Sequence, residues 1–203
     1  MLLRCYFYTR TGEMTGIAFI DSTPIEVCHP CRAKSHKVCQ EQVGWNKNSM
    51  GWHFGFKLHL VINERGERLA LKLTPANTDD RVPVPEMTQD LIGKLFGDRG
   101  YIRQDLFEEL YERGLELITN YKKKMKNKLA KLLGKGMRRK RALIETVNDP
   151  LKKIFQIEHS RHRSPLNFLV NTLTALVAYT YQEKKFALDL EVKELAALPP
   201  AIF

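Results

Sequence analysis

The chain has 203 residues, four cysteines and a formal net charge of +10. This length is enough to bury a core without disulfide staples, and four irregularly spaced cysteines favour thiols or metal ligands over a disulfide framework. The N-terminus carries no secretory signal, and the longest apolar segment, residues 166–181, is too short and too polar to span a bilayer. We therefore expect a soluble, cytoplasmic protein that does not bind membranes.

The positive charge is concentrated in residues 121–141. This segment contains eleven lysines and arginines and no acid, so it carries +11, and the rest of the chain carries −1. A basic segment on an otherwise neutral domain is typical of contact with a phosphate backbone, which is salt-sensitive and largely independent of sequence. Nucleic acid is therefore the favoured partner, and a solvated lysine-rich loop is the alternative.

The first predicted strand is the apolar run Ile17–Ile20, because a short run without polar residues is typical of a strand buried on both faces. Asp21 lies where this strand is expected to end, and Ser22-Thr23-Pro24 is expected to close it. A β-hairpin is predicted over Trp52–Thr74, where apolar and polar residues alternate on both sides of a glycine-containing loop. A helix from about Pro83 to Ile92 should follow.

A second carboxylate, Asp98, follows a second apolar run that begins at Lys94. Asp98 lies in a turn with glycine on both sides, Gly97-Asp98-Arg99-Gly100-Tyr101. A helix over residues 104–113, ended by Gly114, and a strand over residues 115–119 are predicted next.

Two helices are predicted in the C-terminal third. The first starts near Met137 and points Glu145 away from its apolar stripe, about 200° around the helix from Leu143. Pro150 is expected to kink this helix or to end it near Asp149. The second starts at Ser164-Pro165, a cap followed by proline at the first helical position. Its apolar residues are expected to face the core, and they are Leu166, Leu169, Val170, Leu173, Val177 and Tyr181.

This order of elements predicts an α/β fold, a ribonuclease H-like mixed sheet with helices on both faces. In that fold the first and fourth strands are neighbours, so Asp21 and Asp98 should emerge side by side, with Glu145 brought over them by the later helix. We expect a preamble over residues 1–14, a catalytic domain over 15–183 with the basic insertion at 121–141, and a tail over 184–203.

Asp21, Asp98 and Glu145 are the predicted catalytic residues and metal ligands. Three converging carboxylates suit Mg²⁺ or Mn²⁺, which prefer hard oxygen ligands. Two ions held about 4 Å apart could activate a water or a 3′-hydroxyl and stabilise the leaving oxygen of an in-line phosphoryl transfer. Asp79 and Asp80 have two interpretations: either one is a fourth carboxylate near the site, or they cap the following helix, which we favour.

Two other groups of residues have alternative interpretations. Cys28, Cys31, His36 and Cys39 approach the spacing of a zinc knuckle, but the last gap is short, and a plain loop is the favoured interpretation. Trp45 and Trp52 could stack on a flipped base, although aromatic residues at strand starts more often pack in the core.

Six blocks of the sequence resemble, in order, the DDE transposases of the bacterial insertion sequence 982 family. They begin at Phe19, Gly51, Leu73, Gly97, Arg141 and Glu158, and the resemblance runs from about Gly12 to Lys185. It implies that the family triad falls on Asp21, Asp98 and Glu145. Relatives carry a helical DNA-recognition region ahead of the first catalytic strand, so we expect this chain to be an N-terminally truncated catalytic domain.

The resemblance also implies a function. The chain would nick DNA at the ends of an insertion sequence and transfer strands, using two Mg²⁺ or Mn²⁺ ions and acting as a homo-oligomer on double-stranded DNA. The alternatives are a nuclease of the same fold and a non-catalytic nucleic-acid-binding remnant. The residues expected to contact DNA are Lys122, Lys123, Lys124, Arg138, Arg141, Arg161 and Arg163.

Overall fold

A six-stranded mixed sheet organises the residues that the computed structural model describes, which are 2–48, 51–119, 146–158 and 164–182. The strands are β1 (Ile17–Cys28), β2 (Gly44–Asn48), β3 (Gly51–Asn63), β4 (Arg68–Pro75), β5 (Gly93–Phe96) and β6 (Leu115–Ile118). The helices are α1 (Leu2–Thr9), α2 (Val84–Met87), α3 (Gln104–Glu112) and α5 (Pro165–Thr180), together with α4, the helical residues 146–153.

The strand order confirms the predicted fold class. The sheet runs β2-β3-β1-β5-β6, and β4 pairs with the remaining length of β3. β1 is antiparallel to β3 and parallel to β5, which is in turn parallel to β6. The first strand thus lies between the predicted hairpin and the strand that precedes Asp98, as a ribonuclease H-like sheet requires.

Helices cover both faces of this sheet. On one face Phe19, Leu58 and Phe96 pack with residues of α4 and α5. On the other face Ile20, Val61 and Leu95 pack with residues of α2 and α3 and with the turn after β5. Neighbouring residues of a strand point to opposite faces, so consecutive apolar residues such as Phe19 and Ile20 supply both cores.

β1 is longer than predicted. It continues through Asp21 and Pro24 to Cys28 because β3 pairs with it along this whole length, with Asp21 opposite Leu60. β5 pairs with β1 only from Ile17 to Phe19, so the edge of β1 on that side is open at Pro24. A proline, which lacks the N–H, is tolerated in a strand at such an edge.

Three helices also differ from the prediction. Residues 2–9 form α1, although no period was evident there, and α2 is only one turn long. α4 neither ends nor breaks at Asp149, since residues 146–153 are helical and the Ile154 N–H donates to the carbonyl of Pro150 at 2.9 Å. Gly114 ends α3 as predicted, with a φ of +79° that favours glycine.

α5 begins where the sequence predicts, since Ser164 Oγ accepts from the Asn167 N–H at 3.2 Å. The predicted core face is wrong in part, because Leu166, Leu169, Val170 and Tyr181 are exposed, whereas Leu173 and Val177 pack against the core as predicted. The buried face instead carries Phe168, Thr172, Ala175, Leu176 and Tyr179. Thr172 can be buried because its hydroxyl donates to the carbonyl of Phe168 at 2.9 Å. Of the helices in the described ranges, none is both long and apolar enough to cross a membrane.

Candidate active site

The strand register brings the backbone positions of Asp21 and Asp98 to the same end of two neighbouring strands. Phe19 pairs with Phe96 across β1 and β5, and each aspartate lies two residues after its phenylalanine. A step of two residues along a strand returns the side chain to the same face. β5 ends at Phe96 whereas β1 continues, so the sheet opens beside Asp21. Asp21 is half-buried there, and Asp98 is exposed.

The turn after β5 fixes the Asp98 carboxylate. Residues Arg99–Tyr101 form a short 3₁₀ turn, and Asp98 Oδ1 accepts from the Gly100 N–H at 2.9 Å. Both flanking glycines lie close to neighbouring side chains. A Cβ on Gly97 would lie 3.1 Å from the Tyr101 ring, and one on Gly100 would lie 3.1 Å from Asp98 Oδ1.

A third carboxylate, Asp80, lies beside this turn. A Cβ built on Gly100 would be 3.9 Å from Asp80 Oδ2, so Asp80 and Asp98 flank the same glycine. Asp80 Oδ1 accepts from Ser22 Oγ at 2.9 Å and forms an ion pair with Lys57 Nζ at 2.8 Å. Lys57 is buried, with an exposed fraction of 8%. Its ammonium group also donates to the carbonyl of Thr78 at 2.8 Å.

Tyr101 lies under the three acids. Its side chain is 1% exposed, and its hydroxyl has no hydrogen-bond partner of good geometry in the part of the chain that the structure describes. Burial raises the pKa of Tyr101 well above its ordinary value, and the charges of Asp21, Asp80 and Asp98 raise it further. The Ser22 hydroxyl is near enough to oppose this rise, but it donates to Asp80. Tyr101 therefore stays protonated and keeps a donor close to the carboxylates.

The favoured interpretation of Asp79 and Asp80 as helix caps is wrong. α2 starts after Pro83 with no side-chain cap. Asp79 instead accepts from the Arg81 N–H at 2.9 Å and forms an ion pair with the Arg81 guanidinium, which lowers the pKa of Asp79. Asp80 takes the alternative role that the sequence left open, as a carboxylate near the site.

The third predicted ligand, Glu145, lies outside the described residues. So do Lys122, Lys123, Lys124, Arg138, Arg141, Arg161 and Arg163. The described part of α4 begins at residue 146, next to Glu145 in the sequence, and its residue Val147 packs in the same core as Phe19. Because Phe19 and Asp21 share a face of β1, α4 lies on the face of the sheet that carries Asp21.

Within the described residues, Cys28, Cys31, His36 and Cys39 do not form a group that could hold a metal ion, in line with the favoured interpretation as a loop. Cys28 and Cys39 are buried, and Cys31 is exposed. Burial raises the pKa of the Cys28 and Cys39 thiols, which disfavours the thiolate form that binds zinc. Across residues 2–48, 51–119, 146–158 and 164–182, no group of three histidines, cysteines or acids could hold a metal ion. Of the three predicted metal ligands, the described residues include Asp21 and Asp98, and Glu145 lies outside them.

Trp45 and Trp52 are not core residues. Trp45 lies in β2 opposite Phe54, and Trp52 lies in β3 opposite Lys47. The exposed fractions of the two tryptophans are 42% and 59%. Their rings meet edge to face with centroids 6.4 Å apart, and Lys47 Nζ lies 5.7 Å from the centroid of the Trp52 ring.

Residues 11–165 match the family model described as "Transposase DDE domain". The match covers most of the chain, and the chain therefore belongs to this family of DDE transposase domains. No match is found among curated proteins.

Among solved structures, the chain is similar to one from a simian T-cell lymphotropic virus intasome in complex with the PP2A regulatory subunit B56 gamma, determined by cryo-electron microscopy. The sequence identity is 12% and the TM-score is 0.45. The match covers 95% of this chain and 60% of the other, so the chain spans less than two thirds of that chain's length.

Proposed function

We propose that this chain is the catalytic domain of a DNA transposase of the insertion sequence 982 kind, with Asp21, Asp98 and Glu145 as its catalytic residues. The observation that carries the proposal is the register of β1 and β5, which sets Asp21 and Asp98 two residues beyond a paired position at the open edge of the sheet. Family membership and the six sequence blocks support the same assignment.

The donor set fits a divalent metal. Asp21 and Asp98 offer carboxylate oxygens, the ligands that Mg²⁺ and Mn²⁺ prefer, from neighbouring strands. Glu145 would complete the set as the third carboxylate. Such ions, when bound, supply Lewis acid chemistry that favours attack by a water or a 3′-hydroxyl on a DNA phosphate.

The chain's own residues prepare the site for that chemistry. The long β1–β3 ladder holds the backbone of Asp21 on one side, and the Gly100 N–H holds Asp98 Oδ1 on the other. Preorganised ligands of this kind avoid reorganisation during the reaction. The open edge of β1 beyond Phe19 leaves access to the carboxylates from solvent.

The first test is Asp98→Asn, with Asp105→Asn at an exposed position of α3 as the matched control. We expect Mn²⁺-dependent cleavage of labelled DNA that carries the element's ends to be lost in Asp98→Asn, by at least about 10³-fold. DNA binding at low salt should be retained, because a negative charge is removed. Cleavage at the wild-type rate in Asp98→Asn would overturn the site assignment.

The products of the same assay define the reaction. Strand-joined products support a transposase, which would act as a homo-oligomer on the two ends. Cleavage without joining supports a nuclease of the same fold, and binding without cleavage supports a nucleic-acid-binding remnant.

The second test concerns the basic residues, which we propose contact the DNA backbone. They are Lys122, Lys123, Lys124, Arg138, Arg141, Arg161 and Arg163. Replacing Lys122, Lys123 and Lys124 together by alanine should reduce the slope of log affinity against log salt by up to about three units. Fluorescence anisotropy with a labelled duplex measures the slope, and an unchanged slope would assign the contact elsewhere.

A further inference from the structure

Asp80 connects the two elements that carry Asp21 and Asp98. Through Oδ1 it accepts from Ser22 Oγ at 2.9 Å, and Ser22 directly follows Asp21 in β1. Its Oδ2 lies 3.9 Å from the position that a Cβ on Gly100 would occupy, so Asp80 is close to the turn whose Gly100 N–H holds Asp98, without a hydrogen bond to that turn. Because Ser22 and Asp21 are consecutive in β1, their side chains point to opposite faces of the sheet. Asp80 therefore contacts β1 on the face opposite the Asp21 side chain.

Lys57 fixes Asp80 in this place. Lys57 is buried and Asp80 is half-buried, so the lysine ammonium loses most of its water and needs its remaining hydrogen bonds to be made inside the protein. Here the Lys57 ammonium donates to Asp80 Oδ1 and to the carbonyl of Thr78, each at 2.8 Å. The Thr78 contact also fixes the loop that carries Asp80. The pair therefore has the geometry of a rigid support and not of a mobile surface contact.

The Tyr101 hydroxyl is an independent observation at the same place. It is buried next to Asp21, Asp80 and Asp98 and makes no hydrogen bond of good geometry within the described residues. Buried tyrosine hydroxyls ordinarily have a partner. This buried hydroxyl is therefore a donor available to a neighbouring group of the site.

We propose that Asp80 is a positioning residue that, held by Lys57 and Ser22, fixes Asp21 and the Asp98 turn relative to each other for binding a divalent cation. The inference rests on the proposed function and adds to it Lys57, Ser22, Asp80 and Tyr101, which form a support behind the catalytic acids. Residues that orient metal ligands typically change metal affinity or activity about 10- to 100-fold when they are replaced.

The test compares a paired apolar replacement, Lys57→Met/Asp80→Leu, with the wild type. Removing both charges avoids the unpaired buried ammonium that Asp80→Leu alone would leave, so the double variant should unfold at a higher denaturant concentration than Asp80→Leu alone. Calorimetric titration of the DNA-free protein should nevertheless show Mn²⁺ binding about tenfold weaker than in the wild type. The exposed pair Lys72–Glu86 gives the control, Lys72→Met/Glu86→Gln, for which unchanged Mn²⁺ affinity is expected.

Ser22→Ala is a milder second variant that leaves the ion pair intact. It should weaken Mn²⁺ binding in the same direction by a smaller factor and keep the wild-type unfolding midpoint within error. A structural role alone would give wild-type Mn²⁺ affinity in both Ser22→Ala and the double variant, and this result overturns the inference. If Asp98→Asn loses Mn²⁺ binding but these variants retain it, only the inference is overturned. If the wild-type protein binds no Mn²⁺, the proposed function is overturned as well.

Discussion

Two buried cations on the hairpin, Lys57 of β3 and Arg68 of β4, have different partners. Lys57 is 8% exposed and pairs with the carboxylate of Asp80. Arg68 is 6% exposed and donates to neutral acceptors, the carbonyl of Phe7 at 2.9 Å and Thr11 Oγ1 at 3.0 Å. Its guanidinium carbon lies 3.9 Å from the centroid of the Phe7 ring.

The partners indicate what each cation does. Arg68 joins β4 to α1 and to the segment that follows it, where the Gly12 N–H also donates to the Arg68 carbonyl at 2.8 Å. Lys57 lies near the open edge of the sheet, where its partner adjoins two more acids. A buried cation with neutral partners attaches a helix, whereas one with a carboxylate partner supports the candidate active site.

The largest effect that distinguishes Arg68 from Lys57 is the loss of stability expected from Arg68→Met. This change removes two charged hydrogen bonds and a cation–π contact, and it should lower the free energy of unfolding by about 3 kcal/mol in urea. Hydrogen exchange of residues 2–9 should become faster because α1 loses its attachment. Mn²⁺ affinity should not change, in contrast to Lys57→Met/Asp80→Leu.

The control for Arg68 is Arg65→Met, three residues away on the same hairpin loop, where the side chain is exposed and pairs with Glu13. An exposed pair contributes about 0–1 kcal/mol, so this variant should be near the wild type. If Arg68→Met weakened Mn²⁺ binding as strongly as the change at Lys57, the two cations would not differ in function.

The sequence allowed prediction of the parts of the fold that depend on local pattern. The strands before Asp21 and Asp98, the hairpin and the Ser164 cap follow from alternation, turn residues and capping, and the structure contains them. The Lys57–Asp80 pair could not be found in this way, because it depends on how the loop after β4 folds back beside β1. The sequence signal for this pair was the two adjacent acids, Asp79 and Asp80, for which a helix cap was the favoured interpretation.

The buried face of α5 could not be predicted from the sequence for a different reason. Apolar residues surround this helix, so hydrophobic periodicity does not define which side is buried. The buried side is chosen by specific contacts, such as the Tyr179 hydroxyl, which donates to the carbonyl of Gly66 at 2.8 Å. Of the predicted catalytic residues, Asp21 and Asp98 could be placed from strand order, and the position of Glu145 stays a prediction.

A smaller effect is expected from His59, a third buried basic residue, two positions from Lys57 along β3. Its Nε2 is 2.8 Å from Thr74 Oγ1, a neutral partner. Burial lowers the pKa of His59 to about 4; the charge of Asp80 opposes this, and the charges of Lys57 and Lys72 add to it. Lys57 thus has a carboxylate partner for its charge, whereas His59 is held neutral.

The neutral state of His59 predicts a loss of stability in acid. The pKa in the folded chain lies below the ordinary value of 6.5, so this contribution is complete above about pH 6.5 and is lost as the pH falls towards 4. Between pH 7.5 and 5 the free energy of unfolding should fall by about 2 kcal/mol from this group.

His59→Gln should remove that part of the pH dependence in urea titrations, while the exposed control His29→Gln should retain it. Some pH dependence should persist in His59→Gln, because burial also lowers the pKa of His53. An identical pH dependence in His59→Gln and the wild type would mean that Asp80 stabilises a charged His59, and the contrast with Lys57 would then fail.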